Sequence, residues 1–141
     1  MLRVFVALLL LLLAPAAAAA GPVNDADRAE FQRIISEQIA AFRADDGPRA
    51  YSYAAPSIKR IFPSPEIFMR MVRQGYKPVH RPQSFRFGEA ALDPLGRQAQ
   101  RVTLVGPDGR TYEALYSMER QPDGSWRIDG CTLLEIPGAD A

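Results

Sequence analysis

Apolar residues recur at helical spacing early in the chain and at alternate positions late in it. Phe31, Ile34, Ile35, Ile39 and Phe42 fall on one stripe of a helix. Asn24 or Asp25 is placed to cap its N-terminus, and Asp25, Asp27 and Glu30 suit the positive end of the helix dipole. Gly47 and Pro48 are expected to stop it. A short helical turn is expected near Arg49 to Ala54, ended by Pro56, and another over Ser57 to Phe62. Ser64-Pro65-Glu66 reads as cap, first-turn proline and first-turn acid of a helix reaching about Gln74. Ile67, Phe68, Met71 and Val72 form its apolar side, and Gly75 ends it.

After Pro82 the period becomes two. Phe85 and Phe87 flank Arg86 in a first strand, which ends in a turn at Asp93-Pro94-Leu95-Gly96. Val102 and Leu104 alternate with Arg101 and Thr103 in a second. In a third, Tyr112, Ala114, Tyr116 and Met118 share one face, with Glu113, Leu115 and Glu119 on the other. Trp126 and Ile128 alternate with Arg127 and Asp129 in a fourth, which runs to about Leu134. The two later turns are both Pro-Asp-Gly, at 107–109 and 122–124. Proline presets φ, aspartate folds back on the backbone and glycine takes positive φ. Gly130 inside the last strand marks a bulge. Helices followed by an antiparallel meander predict an α+β fold, N-terminal helices packed on a bent four-stranded sheet. Phe85, Phe87, Tyr112, Tyr116, Trp126 and Ile128 are expected on the face that the helices cover.

The first residues have the character of an export signal. Arg3 and the free amine precede an unbroken apolar run, Val4 to Leu13, followed by Pro15 and alanines. Ala18 and Ala20 fit an A-x-A cleavage site, so residues 1–20 are expected to be removed. That leaves one domain over 24–136 and a loose tail over 137–141. A spanning helix needs about 20 apolar residues, more than this run supplies, so no stable membrane span is expected after cleavage. A periplasmic or secreted location follows, and alanine- and arginine-rich usage favours a bacterial periplasm. The single cysteine, Cys131, allows no internal disulfide, and the core must hold the fold alone.

Loss of residues 1–20 removes Arg3 and leaves 16 basic and 16 acidic residues. That balance lacks the basic footprint of nucleic-acid binding, and nucleic acid is not expected as a partner. The charge is nevertheless segregated. Between Lys59 and Arg86 lie seven basic side chains and one acid, Glu66, interleaved with aromatics. Arg60, Arg70, Arg73 and Arg81, with Lys59 and Lys77, are candidates to surround a pocket mouth and hold an anion. Solvated helix faces, some paired with acids of the first helix, are the alternative. Tyr76, Tyr112, Tyr116 and Trp126 are the aromatic candidates for a pocket lining, beside the plainer reading that such rings are core.

Several short runs carry a resemblance. Tyr51-Ser52-Tyr53-Ala54-Ala55-Pro56-Ser57-Ile58, Phe62-Pro63-Ser64-Pro65, Met71-Val72, Gln74-Gly75-Tyr76 and Gly130-Cys131 together resemble an uncharacterised bacterial exported family, a domain of unknown function, over about residues 28–135. The order of elements and the ending Asp123-Gly124-Ser125-Trp126-Arg127-Ile128 are similar to the nuclear transport factor 2-like cone. That superfamily includes ketosteroid isomerases and polyketide cyclases alongside many non-catalytic binding domains. A shared fold does not settle which of these a chain is.

Isomerase chemistry needs a carboxylate base in an apolar pocket and a donor for the developing oxyanion. Tyr51, Tyr53, Tyr112 and Tyr116 offer donors. Asp129 and Glu113 alternate onto polar faces, however, and Glu89 and Asp93 lie near a strand end and turn. No catalytic residue is assigned. The lone His80, between prolines, reads as a loop residue. No second histidine exists for a zinc site, the aspartates lack calcium-loop spacing, and no cofactor is expected. Cys131 reads as buried packing. The leading expectation is an exported, non-catalytic domain holding a small amphiphilic or anionic ligand between helices and sheet. A protein-interaction module is the first alternative, acting as a homodimer through the sheet or on an acidic envelope protein. A ketosteroid-isomerase- or cyclase-like enzyme is the second.

Overall fold

In the computed structural model, which describes residues 23–138, the first helix is α1 (Asp25–Arg43). The expected signal at 1–20, and residues 139–141 of the expected tail, lie outside the described residues. Asn24 is the cap, its Oδ1 accepting from the Asp27 N–H at 2.8 Å. Phe31, Ile34, Ile35, Ile39 and Phe42 are all buried, as the helical stripe predicts. Each contributes about 1.5–3 kcal/mol of transfer free energy before conformational entropy opposes it. On the solvent face Arg33 bridges Glu30 and Glu37. Gln38 is the polar exception within the stripe. It is buried, and its Nε2 donates to the Ala50 carbonyl at 3.1 Å, tying α1 to the next helix.

The end of α1 differs from the expected stop. The helix closes at Arg43, and Asp45 takes the left-handed conformation with φ 53°. Gly47 and Pro48 instead begin α2 (Gly47–Ser52), capped by Asp46. The glycine serves packing there: a Cβ on Gly47 would meet Met69 Cγ at 3.1 Å. Helices α3 (Pro56–Ile61), α4 (Pro65–Gly75) and α5 (Lys77–His80) follow. Ser64 caps α4 as expected, its hydroxyl accepting from the Ile67 N–H. Because α4 leans on α2 through Met69, that residue is buried and Ile67 is 40 % exposed, a correction to the expected apolar side. His80 closes α5 and is not in a loop.

The strands β1 (Ser84–Leu92), β2 (Gln98–Val105), β3 (Thr111–Arg120) and β4 (Trp126–Glu135) form one antiparallel sheet in sequence order. Helices packed on an open four-stranded antiparallel sheet make this an α+β fold. Val102, Leu104, Ala114, Tyr116, Met118, Trp126 and Ile128 bury the inner face against α1. Gly109 and Gly124 take φ of 78° and 85°, the positive values their Pro-Asp-Gly turns require. Two bulges interrupt the ladder, one between Phe87 and Ala90 and one where Asp129 is left unmatched between Ile128 and Gly130. Bulges bend the strand that carries them. At the first, the buried Gln100 side chain donates to the Gly88 and Arg101 carbonyls, both at 2.9 Å. The segment entering α3 adds to the β4 edge: Ala55 N–H donates to Ile128 O, and Ile128 N–H to Tyr53 O, each at 2.8 Å. Among the described residues, no helix is long and apolar enough to cross a membrane.

Candidate functional site

A cavity of about 270 Å³ lies between the helices and the inner face of β3 and β4. Its size is just under the roughly 300–1,000 Å³ of drug-sized pockets. Phe42 and Gln38 reach it from α1, Ile58 from α3, Phe68, Met71 and Val72 from α4, and Val79 from α5. Tyr116, Ile128 and Cys131 close it from the sheet. Small residues leave the space open: Ala54, where the chain bridges to the edge of β4, and Gly130 within β4. Gly130 is also required by the strand itself, since a Cβ there would meet Ser117 Oγ at 2.8 Å. At one end the Tyr51 hydroxyl donates to the Phe62 carbonyl at 2.6 Å, and Lys59 Nζ sits 5.1 Å from the centre of the Tyr51 ring.

The lining is apolar but for a few groups. The Tyr76 hydroxyl is used, donating to the Cys131 carbonyl at 3.1 Å. The Tyr116 hydroxyl is buried and makes no hydrogen bond of ordinary geometry. Burial, and then the neighbouring Cys131, hold its ionisation well above the ordinary tyrosine range. Burial pushes the Cys131 thiol up to about 12, with Tyr116 acting in the opposite direction. Cys131 is among the residues that line the cavity. Both groups are therefore neutral donors at ordinary pH. No carboxylate or cation is among the lining side chains of this cavity. The tyrosine–carboxylate pairs of the described residues, Tyr53 with Glu37 and Tyr112 with Asp108, lie elsewhere. No group of three or more His, Cys, Asp or Glu among the described residues is arranged to hold a metal ion.

The His80 ring lies tilted against Phe42, with ring centres 5.9 Å apart, and its Nε2 is buried and unpartnered. Burial, then Arg81 and Arg73, lower its pKa below the ordinary 6.5 against the opposing pull of Asp45. The folded state thus prefers the neutral ring. That contribution to stability is whole above the unfolded pKa and is lost as pH falls through the lower folded value. Urea midpoints at about pH 7 and about pH 5.5 should fall between the two for the native protein, and fall less for His80→Gln. An equal drop in both would place the acid sensitivity in other groups.

The family model described as a domain of unknown function, DUF4864, matches residues 24–141, most of the chain. The chain belongs to this family. No curated protein and no solved structure matches it.

The DUF4864 fold separates the residues that the sequence grouped together. Tyr76 and Tyr116 line the cavity. Trp126 packs edge-on to Phe31 with ring centres 4.9 Å apart, and its Nε1 donates to Asp27. Tyr112 shares the face of Ala114 and Tyr116 but stands half-exposed at its rim, beside Gly75 and Pro78, with its hydroxyl donating to Asp108 Oδ2 at 2.6 Å. Arg60 is exposed on α3, and Arg81 pairs with Asp45 at 2.8 Å. Arg70 and Arg73 line a separate groove, shared with Asp45, Glu66 and Met69. The remaining cavity lining (Ile58, Phe62, Met71, Val79 and Cys131 among it) carries no chemical signature in a sequence. Apolar residues and one thiol announce a core, and only their failure to fill it makes a site.

Proposed function

We propose that this DUF4864 domain is an exported, non-catalytic binding module that holds a small apolar or amphiphilic ligand in the cavity between helices and sheet. The observation that carries the reading is the cavity itself, apolar and about 270 Å³, at the centre of the fold. Unfilled apolar space forgoes packing contacts, roughly 24 cal/mol per Å³ in measured core cavities, and an apolar occupant restores them. The bulges that bend the sheet, and the space left between helices and sheet, support a nuclear transport factor 2-like cone. Export rests on the leader-like residues 1–20 and places the domain in a bacterial periplasm. An isomerase- or cyclase-like reaction would need a base, and the cavity offers no carboxylate for that role. Native mass spectrometry of protein recovered from the periplasmic fraction should reveal a bound small molecule. Protein that stays in the cytoplasm with its leader intact would refute the export, and an invariably bare mass would count against the ligand.

A second reading, a module that docks an acidic envelope protein, is favoured by the cations left over. Arg60, Arg70, Arg73, Lys77 and Arg86 make no ion pair in the described structure. Cross-linking in cells should recover an acidic partner that is lost on reversing Arg70 and Arg73 to glutamate. Recovery of the same partner with both charges reversed would remove this reading.

A further inference from the structure

Tyr116 is 1 % exposed, yet its hydroxyl makes no hydrogen bond of ordinary geometry, with only the Cys131 thiol acting on it as a polar neighbour. A buried polar group without a partner costs free energy that most folds avoid, so such a group asks for an explanation. It belongs to the cavity lining, and beside it stands the Cys131 thiol, the other donor of the sheet wall. Of the other polar groups that line the cavity, the Tyr76 hydroxyl donates to the Cys131 carbonyl and one hydrogen of the Gln38 amide to the Ala50 carbonyl.

We propose that Tyr116 Oη and Cys131 Sγ form a neutral donor pair that selects an uncharged ligand bearing one hydrogen-bond acceptor, such as a ketone or ether oxygen, on an otherwise apolar body. The proposal rests on the cavity being a binding site and states what that site prefers. An acceptor placed at this wall gives the Tyr116 hydroxyl a better partner than the Cys131 sulfur, while the aliphatic and aromatic lining meets the rest of the molecule. The Cys131 S–H is a weaker donor to the same atom. Carboxylates and phosphates are excluded by the same inventory. No cation lines the space, and a buried anion without a partner is strongly disfavoured. Arg70 and Arg73 open on a different groove and cannot supply the counter-charge.

Three probes of similar shape separate the possibilities: butyrophenone, which has a ketone; butylbenzene, which has no acceptor; and phenylbutyrate, which is charged. Titration of the purified protein, read by the methyl resonances of Ile58, Val72, Val79 and Ile128, should give butyrophenone an affinity on the order of tenfold above butylbenzene, the size of a neutral hydrogen bond to a poorly paired buried donor. Phenylbutyrate should be the weakest. Tyr116→Phe should close the gap between butyrophenone and butylbenzene. Cys131→Ala should narrow the gap less. Should Tyr116→Phe fail to fold, the native comparison and Cys131→Ala still decide. Equal affinities for butyrophenone and butylbenzene in the native protein would overturn the donor pair and leave the cavity reading standing. Tightest binding by phenylbutyrate would overturn the neutrality. Failure of every probe to perturb those methyls would overturn the binding site itself, and the donor pair with it.

Discussion

Phe31→Ala is expected to lower the unfolding free energy by about 3–5 kcal/mol, as deletion of a fully buried aromatic ring does. Phe31 is inaccessible to solvent and meets Trp126 edge to face, with ring planes at 85°. Such pairs add about 0.5–1.5 kcal/mol beyond the area they bury. The contact also joins the first turns of α1 to the start of β4, where the Trp126 Nε1 donates to Asp27 Oδ1 at 3.3 Å. Loss of the ring therefore leaves a hole and frees the indole that closes it. Urea denaturation monitored by Trp126 fluorescence and by far-ultraviolet circular dichroism should both report the loss. Phe85→Ala is the comparison. Phe85 is only half-buried at the sheet edge and should cost distinctly less. A loss below about 1 kcal/mol for Phe31→Ala would mean that α1 is not seated on the sheet through this stripe.

Ala54→Leu is expected to weaken binding of an apolar probe at least tenfold, with stability unchanged or raised. Ala54 is buried against the cavity, and its backbone is fixed by the bridge to Ile128. Three added carbon atoms have one direction to go, into space that is now open. Filling a cavity restores the dispersion contacts its walls lack, so the thermal midpoint should hold or rise. The same carbons displace a ligand. The pairing of lost binding with kept stability is what distinguishes a binding cavity from a packing defect of no consequence. A variant that unfolds at lower urea would indicate that the wall cannot accept the leucine, and one that binds butylbenzene unchanged would place the site elsewhere.

The fold was written plainly in the chain because two periodicities carry it. The stripe from Phe31 to Phe42 and the alternation in β2, β3 and β4 each name a buried face, and turns such as Pro107-Asp108-Gly109 have a chemical cause. Local chemistry misled where tertiary contact overrode it. Gly47 carries a helix-stop signature, yet Asp45 took the left-handed position and freed Gly47 to approach Met69. Ile67 and Met69 exchanged roles because helix periodicity does not say which neighbour a face will meet. The cavity was the least legible part. Tyr76 and Tyr116 were within reach of sequence reasoning as aromatic candidates, but a void depends on how far α3, α4 and α5 stand off the sheet. The arginines drew attention through their number, and charge in a sequence carries no address. Arg81 met Asp45, while Arg70 and Arg73 faced a groove of their own.

The most direct measurement is a titration of the isotope-labelled protein with butylbenzene, followed by methyl and amide nuclear magnetic resonance. A ligand site between helices and sheet predicts saturable shifts gathered on Ile58, Met71, Val72, Val79 and Ile128, and their disappearance in Ala54→Leu. Shifts gathered instead on Met69 and the amides of Arg70 and Arg73, or none at any probe concentration that leaves the protein folded, would contradict it.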